Sequence, residues 1–255
     1  MDDIRSYYGT VRLILASASP RRAELLRSAG YTFEVVAADV DESIRAGETP
    51  STYVRRLAAD KSMAALKGCA TAHATTATPS ATETATPNAT PNAMPTATAN
   101  APPGAVLNRT VHPTPSATAV AQPFRSADMV ILGADTTVVV GGAILGKPRD
   151  EDDARGMLRR LSATTHQVLT GVSLRQGAYE AGRVETTAVT FRALTDEDIS
   201  WYLASGEWRD KAGGYAIQGL ASRFIPSITG SYSNVVGLPL ACVDQLLRSL
   251  LASRL

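Results

Sequence analysis

Asp135 interrupts one of the most apolar stretches of the chain. It follows Met129-Val-Ile-Leu-Gly-Ala134 and precedes Thr136, Thr137 and three valines. A carboxylate ending a buried strand is costly unless it is hydrogen-bonded, paired or bound to a cation. The end of a strand in an α/β sheet is also where ligands bind. Asp135 is therefore the candidate for proton transfer or for holding a metal. A second candidate site is Ser17-Ala-Ser-Pro-Arg-Arg22. Ser19 suits a helix N-cap and Pro20 the first helical position. Free N–H groups and the positive helix end then gather beside Arg21, Arg22 and the hydroxyls of Ser17 and Ser19. By themselves these residues fit either a capped helix with solvated arginines or a site for a phosphate chain.

Four further side chains join this set. Glu42 ends the acidic loop Asp39-Val-Asp-Glu42. Beside a phosphate site it suits magnesium or manganese, which take oxygen ligands; away from one it is a solvated acid. Lys61 lies on the apolar stripe of its helix, where a lysine either snorkels or meets an anion. Lys147 sits in the Gly-Lys-Pro turn 146–148, and Gln218 sits between glycine-rich segments, with an amide suited to the edge of a base. Ser231-Tyr-Ser-Asn-Val-Val-Gly-Leu-Pro239 offers a serine or asparagine to a ligand. The three histidines, His73, His112 and His166, do not cluster, which argues against a histidine metal site or a catalytic triad.

The elements that must carry these groups alternate. Strands are expected at 11–16, 33–38, 129–134 and 136–140, with Asp135 ending the third and Gly141-Gly142 closing a hairpin. Paired strands are expected at 167–175 and 183–192, and a short one at 223–228. Helices are expected at 20–29, from Pro50 to a stop at Gly68, from Asp150 to Leu161, from Thr195 to Gly206, and at 238–251. Helices interleaved with strands, with hairpins among them, give an α/β fold with a central mixed sheet.

Residues 69–127 break this pattern. From Ala70 to Gln122 the only charged residues are Glu83 and Arg109, and nine of the chain's 14 prolines lie between Pro79 and Pro123. Regular helix and interior strand are excluded there, and little apolar surface offsets the entropy of ordering. We read a disordered, low-complexity insertion in one domain spanning 1–255. The net charge of +1 gives no basic field for nucleic acid. No apolar run approaches the ~20 residues that cross a bilayer, and no secretory leader is evident. Cys69 and Cys242 are far apart and outside any zinc spacing. These features point to the cytoplasm, with no nucleic-acid or membrane partner; a homodimer is left open.

Taken together, the motifs resemble the Maf family of nucleoside triphosphate pyrophosphatases. The matching segments are Ser17–Arg22, Asp41-Glu42, Lys61, Gly133-Ala-Asp-Thr136, Gly146-Lys-Pro148, His166 to Gly171, Asp210-Lys-Ala-Gly-Gly-Tyr-Ala-Ile-Gln-Gly219 and 230–239, in family order. The resemblance implies a Maf/ITPase-like α/β fold with a cleft between two lobes. It also implies cleavage of the α–β phosphate bond with a divalent cation, Mg2+ or Mn2+. Asp135 matches the family's proton acceptor. Arg21, Thr136 and Gln218 match positions linked to substrate choice, and Glu42, Lys61 and Lys147 match polar positions around phosphates and metal. The 211–219 stretch looks like the subgroup acting on dTTP and UTP; the alternative is the sister subgroup acting on 7-methyl-GTP. The family name comes from an effect on septum formation, so a regulatory binding protein is the other reading. The insertion departs from the family pattern.

Overall fold

The computed structural model describes residues 11–75 and 129–252. The expected disordered stretch lies outside them from residue 76 onward. The strands are β1 (Arg12–Ala16), β2 (Phe33–Val35), β3 (Met129–Val140), β4 (Ala143–Leu145), β5 (Thr165–Gln176), β6 (Tyr179–Thr190) and β7 (Ser227–Thr229). The helices are α1 (Pro20–Ser28), α2 (Pro50–Thr75), α3 (Glu151–Leu161), α4 (Asp196–Ala204), α5 (Tyr232–Val236) and α6 (Leu240–Ala252). The strands form one seven-stranded mixed sheet of order β2-β1-β3-β5-β6-β7, with β4 also paired to β3. β1 is parallel to β2 and β3, while the remaining pairs are antiparallel.

Two expectations about element ends are corrected. Asp135 does not end its strand. β3 runs on to Val140 because β5 stays paired along it, with Asp135 opposite Gly171. The helix at Pro50 does not stop at Gly68 either. Gly68 is absent from the positive-φ glycines, so α2 continues to Thr75. One helical glycine costs only about 1 kcal/mol and does not by itself end a helix. Smaller shifts follow from pairing. β2 stops at Val35, and β5 and β6 extend to a tight turn at Gly177. The caps agree with the residue types: Asp150 accepts from Asp153 N at 2.8 Å, and Thr195 forms a reciprocal capping box with Asp198.

Side-chain alternation along β1 and β3 sorts the core. Leu13, Leu15, Val130, Leu132 and Ala134 face one side, where they pack with α1 and α6. Ile14, Ala16, Met129 and Ile131 face the other and pack under α2 against Ala65. Farther along β3, Val138 and Val140 enter a separate cluster with α3 and α4. These two large clusters on one face are the two lobes. Between them the edge of β3 is bare. β1 covers that edge up to Gly133 and β4 covers it from Val138, which leaves 134–137 without a strand neighbour on that edge among the described residues.

Candidate active site

A cleft of about 470 Å³ opens at this bare edge. Ser17, Ser19, Arg21, Arg22, Glu42, Lys61, Asp135, Thr136, Lys147 and Gln218 all line it. These ten expected site residues are thus brought to one place, though not in one capacity.

Close packing of α2 sets the floor. A Cβ on Gly133 would stand 2.1 Å from the Ala58 carbonyl oxygen, and one on Gly171 2.2 Å from that of Val54. The helix backbone therefore rests directly on β3 and β5. Val54, Ala58 and Lys61 share a helix face, and Asp135 shares a sheet face with Gly133. Lys61 consequently descends on Asp135. Its Nζ donates to Asp135 Oδ1 at 2.7 Å and lies 2.7 Å from Glu42 Oε1. Lys61 is 8% exposed and Asp135 7%, whereas the Glu42 side chain is 52% exposed.

This difference in burial splits the two carboxylates. Burial pushes Asp135 above the ordinary aspartate value, the nearby charge of Glu42 adds to this, and Lys61 and Arg22 offset it only in part. Burial also pushes Glu42 up. There, the hydrogen bond from Lys61 and the charges of Lys61, Lys147 and Arg22 outweigh it, leaving Glu42 below the ordinary carboxylate value. Two acids on one ammonium are thus driven in opposite directions, the arrangement that separates a proton acceptor from a permanently charged group.

Thr136 points to the opposite sheet face. Buried Arg22 donates from Nη2 to Thr136 Oγ1 at 3.0 Å, from Nε to the Gly237 carbonyl at 2.8 Å and from Nη1 to Ser17 Oγ at 3.1 Å. Thr136 Oγ1 also meets Thr170 Oγ1 at 2.9 Å and donates to the Gly237 carbonyl at 3.2 Å. Arg22 and Thr136 therefore tie α1, β3 and the segment after α5 together beneath the cleft. Ser17 Oγ accepts from Ser19 N as well as from Arg22, which uses both of its lone pairs and leaves its proton to donate. Ser19 is the N-cap of α1, but its side chain makes no capping bond.

Arg21 and Lys147 face the cleft with no hydrogen bond or ion pair to a described residue, so their donors are available to a ligand. Gln218 is exposed at the rim and likewise unengaged. Its loop is fixed from below: Gly213 N donates to the Gly146 carbonyl at 3.0 Å, and Tyr215 Oη meets His166 Nε2 at 2.8 Å. The expectation for 231–239 is corrected. Asn234 is fully buried, and its Nδ2 donates to the Val168 carbonyl and Thr187 Oγ1, both at 3.0 Å. That loop offers the cleft Val235, Val236 and Gly237 instead.

Residues that sequence reasoning missed also line the cleft. Tyr53 lies two turns before Lys61, and its phenol is pushed up to about 12 by burial and by the charges of Asp135 and Glu42. Helical spacing from Lys61 could have identified it. Asp210 and Lys211 were quoted only as part of a motif, and Asp210 holds φ 58°. With these included, five cationic side chains face three carboxylates across the cleft.

A mixed sheet between two lobes, with a cation-rich cleft around a buried Lys–Asp pair, defines an α/β protein built to hold a polyanion beside a proton acceptor. The family model described as Maf-like protein matches residues 12–250. The chain belongs to the Maf family. It is 42% identical to a protein of Hahella chejuensis named dTTP/UTP pyrophosphatase, covering 91% of this chain and 89% of that one. Proteins of the same name from Anaeromyxobacter dehalogenans (strain 2CP-C) and Shewanella oneidensis are 41% and 40% identical, each over 93% of this chain, and covered over 93% and 97% of their own lengths.

Proposed function

We propose that this chain hydrolyses dTTP and UTP to the nucleoside monophosphate and pyrophosphate. The observation that carries this is the shared lysine. Lys61 joins a raised carboxylate, Asp135, to a lowered one, Glu42, within reach of unengaged Arg21 and Lys147. Asp135 accepts the proton of the attacking water, and the α–β phosphoanhydride bond breaks as pyrophosphate leaves. Arg21, Lys147 and Lys61 balance the charge that collects on the leaving group. Gln218, on its braced loop, meets the base. Arg22 and Thr136 hold the cleft's shape.

The donor set fits a divalent cation. Glu42 and Asp135 offer hard oxygen ligands around one ammonium, and magnesium commonly takes one or two carboxylates with substrate phosphates completing its shell. No group of three or more His, Cys, Asp or Glu gathers as a metal cage among the described residues. A bound Mg2+ or Mn2+ supplies charge neutralisation at the phosphates and acidifies its water. We also place the protein in the cytoplasm as a single domain. Cys242 is a buried free thiol, and no described helix is long and apolar enough to cross a membrane.

The test is pyrophosphate release by purified protein from a nucleotide panel, with and without Mg2+ or Mn2+. Cation-dependent release from dTTP and UTP is expected. Preference for 7-methyl-GTP moves the chain to the sister subgroup; release of orthophosphate refutes the reaction type; no turnover on any nucleotide favours a binding role.

A further inference from the structure

Glu42 lies in a segment with no helix or strand of its own between β2 and α2, and residues 41–47 are exposed. A loop of this kind does not hold a carboxylate 2.7 Å from a buried lysine unaided. The restraint comes from α2, the helix that also carries Lys61. Arg56 Nε and Nη2 grip both carboxylate oxygens of Glu48 at 2.7 and 2.8 Å. Nη2 also donates to the Ser43 carbonyl at 2.9 Å, and Nη1 donates to the Asp41 carbonyl at 3.4 Å. Tyr53 Oη donates to the carbonyl of Glu42 itself at 3.0 Å. Three consecutive carbonyls, those of 41, 42 and 43, are thus held from one helix face. The Arg56 side chain is only 13% exposed, and it does not line the cleft.

We propose that Arg56, assisted by Tyr53, is the positioning residue that sets Glu42 against Lys61, so that cation and triphosphate binding depend on a side chain outside the cleft. The inference rests on the pyrophosphatase reading of the site. A lysine cannot substitute, because a single ammonium cannot span a carboxylate and two carbonyls in a planar fork.

The experiment compares the full chain with Arg56→Lys and with Arg55→Lys, a neighbouring exposed arginine whose side chain makes no hydrogen bond or ion pair with a described residue. Arg56→Lys should lower kcat/KM by ~10–100-fold and weaken Mn2+ binding, followed by electron paramagnetic resonance, by a similar factor, as for other groups that orient a metal ligand. Amide exchange should quicken in 41–48 and stay unchanged in the sheet. Arg55→Lys should match the wild type. In a Glu42→Gln background, Arg56→Lys should change Mn2+ affinity and kcat/KM by less than ~2-fold, because its effect runs through Glu42. Tyr53→Phe, which deletes one bond to the loop, should move the same readouts in the same direction by less. Unchanged exchange in 41–48, exchange quickened across the whole molecule, or an undiminished loss in the Glu42→Gln background each overturns the proposal. If the wild type hydrolyses no nucleotide, the pyrophosphatase reading fails, while local exchange still decides whether Arg56 holds the loop.

Discussion

Replacing Asp135 with Asn should separate activity from stability. The carboxylate is 7% exposed, and burial raises its pKa above the ordinary value despite Lys61 at 2.7 Å. An acid whose folded pKa exceeds its unfolded one binds its proton more tightly in the folded state. Its ionisation leaves stability unchanged at low pH and lowers it as pH rises through the folded pKa. At neutral pH the Asp135 charge is therefore a net burden on the fold. Asn keeps the shape and removes the charge, and Lys61 still has Glu42 2.7 Å away. The melting temperature at pH 7 should hold or rise. Turnover should fall at least ~100-fold, the lower end of what a positioned base contributes, equivalent to about 2.7 kcal/mol of transition-state stabilisation. Lys61→Ala should behave differently. It leaves a buried carboxylate without its cation, a loss of about 3–5 kcal/mol, so activity and stability should fall together. Pyrophosphate release from dTTP, alongside calorimetric melting, measures both. The acid limb of the wild-type kcat/KM profile should lie above the ordinary aspartate range. Activity within tenfold of wild type in Asp135→Asn, or destabilisation matching that of Lys61→Ala, refutes the reasoning.

Other perturbations address binding, packing and pH. Gln218→Ala should change the ratio of kcat/KM between nucleotides, whereas Arg21→Ala should lower all of them by a similar factor, since every substrate carries the phosphates; reversed patterns in a nucleotide panel would exchange these assignments. Gly133→Ala should destabilise by about 3 kcal/mol and slow turnover, because the new Cβ meets the Ala58 carbonyl at 2.1 Å and lifts α2 from the sheet; denaturant melts and kinetics check both. His166 is 1% exposed and its pKa is lowered to about 4 by burial. Its contribution to stability is thus complete above the ordinary value near 6.5 and is lost as pH falls towards 4, by about 3 kcal/mol in all. His166→Gln should flatten that part of the stability profile measured by urea titration between pH 4 and 7.

The sequence made some features legible because they depend on local rules. Asp150 and Thr195 cap helices by short-range hydrogen bonds, and Pro50 opens α2, so residue type alone suffices. Asp135 and Lys61 stood out as charges in apolar surroundings, Lys147 and Gln218 beside glycines, Ser17, Ser19, Arg21 and Arg22 at a helix start and Glu42 in an acidic loop, whereas Thr136 was reached only through the family resemblance. What was not legible depends on partners distant in the chain. Asp135 looked like a strand end because polar residues follow it, whereas pairing with β5 carries β3 onward. Asn234 looked available to a ligand, but it is buried and its amide nitrogen is consumed by Val168 on β5 and Thr187 on β6. The Gly237 carbonyl that receives Arg22 has no side chain to announce it. Arg56 carries no local signal of its role, since its partners at 41, 43 and 48 lie in a loop of no regular pattern.

The placement of Asp135 inside a strand rather than after one has a consequence for the chemistry. Consecutive strand residues face opposite sides, so Asp135 meets Lys61 on α2 while Thr136 meets Arg22 on α1. The same two peptide units then fix the acidic side of the cleft and its opposite wall in mutual register. A carboxylate on a loop would have no such coupling. Its burial against Lys61 would also be harder to maintain, because loop motion readmits water and removes the desolvation that raises the Asp135 pKa. The edge between β1 and β4 resolves the conflict between burial and access. β5 holds the strand rigid on one side, and the missing neighbour at 134–137 opens the other side to a ligand. Rigid backbone, raised carboxylate and open edge thus follow from one feature, a strand twelve residues long whose parallel partner stops after five.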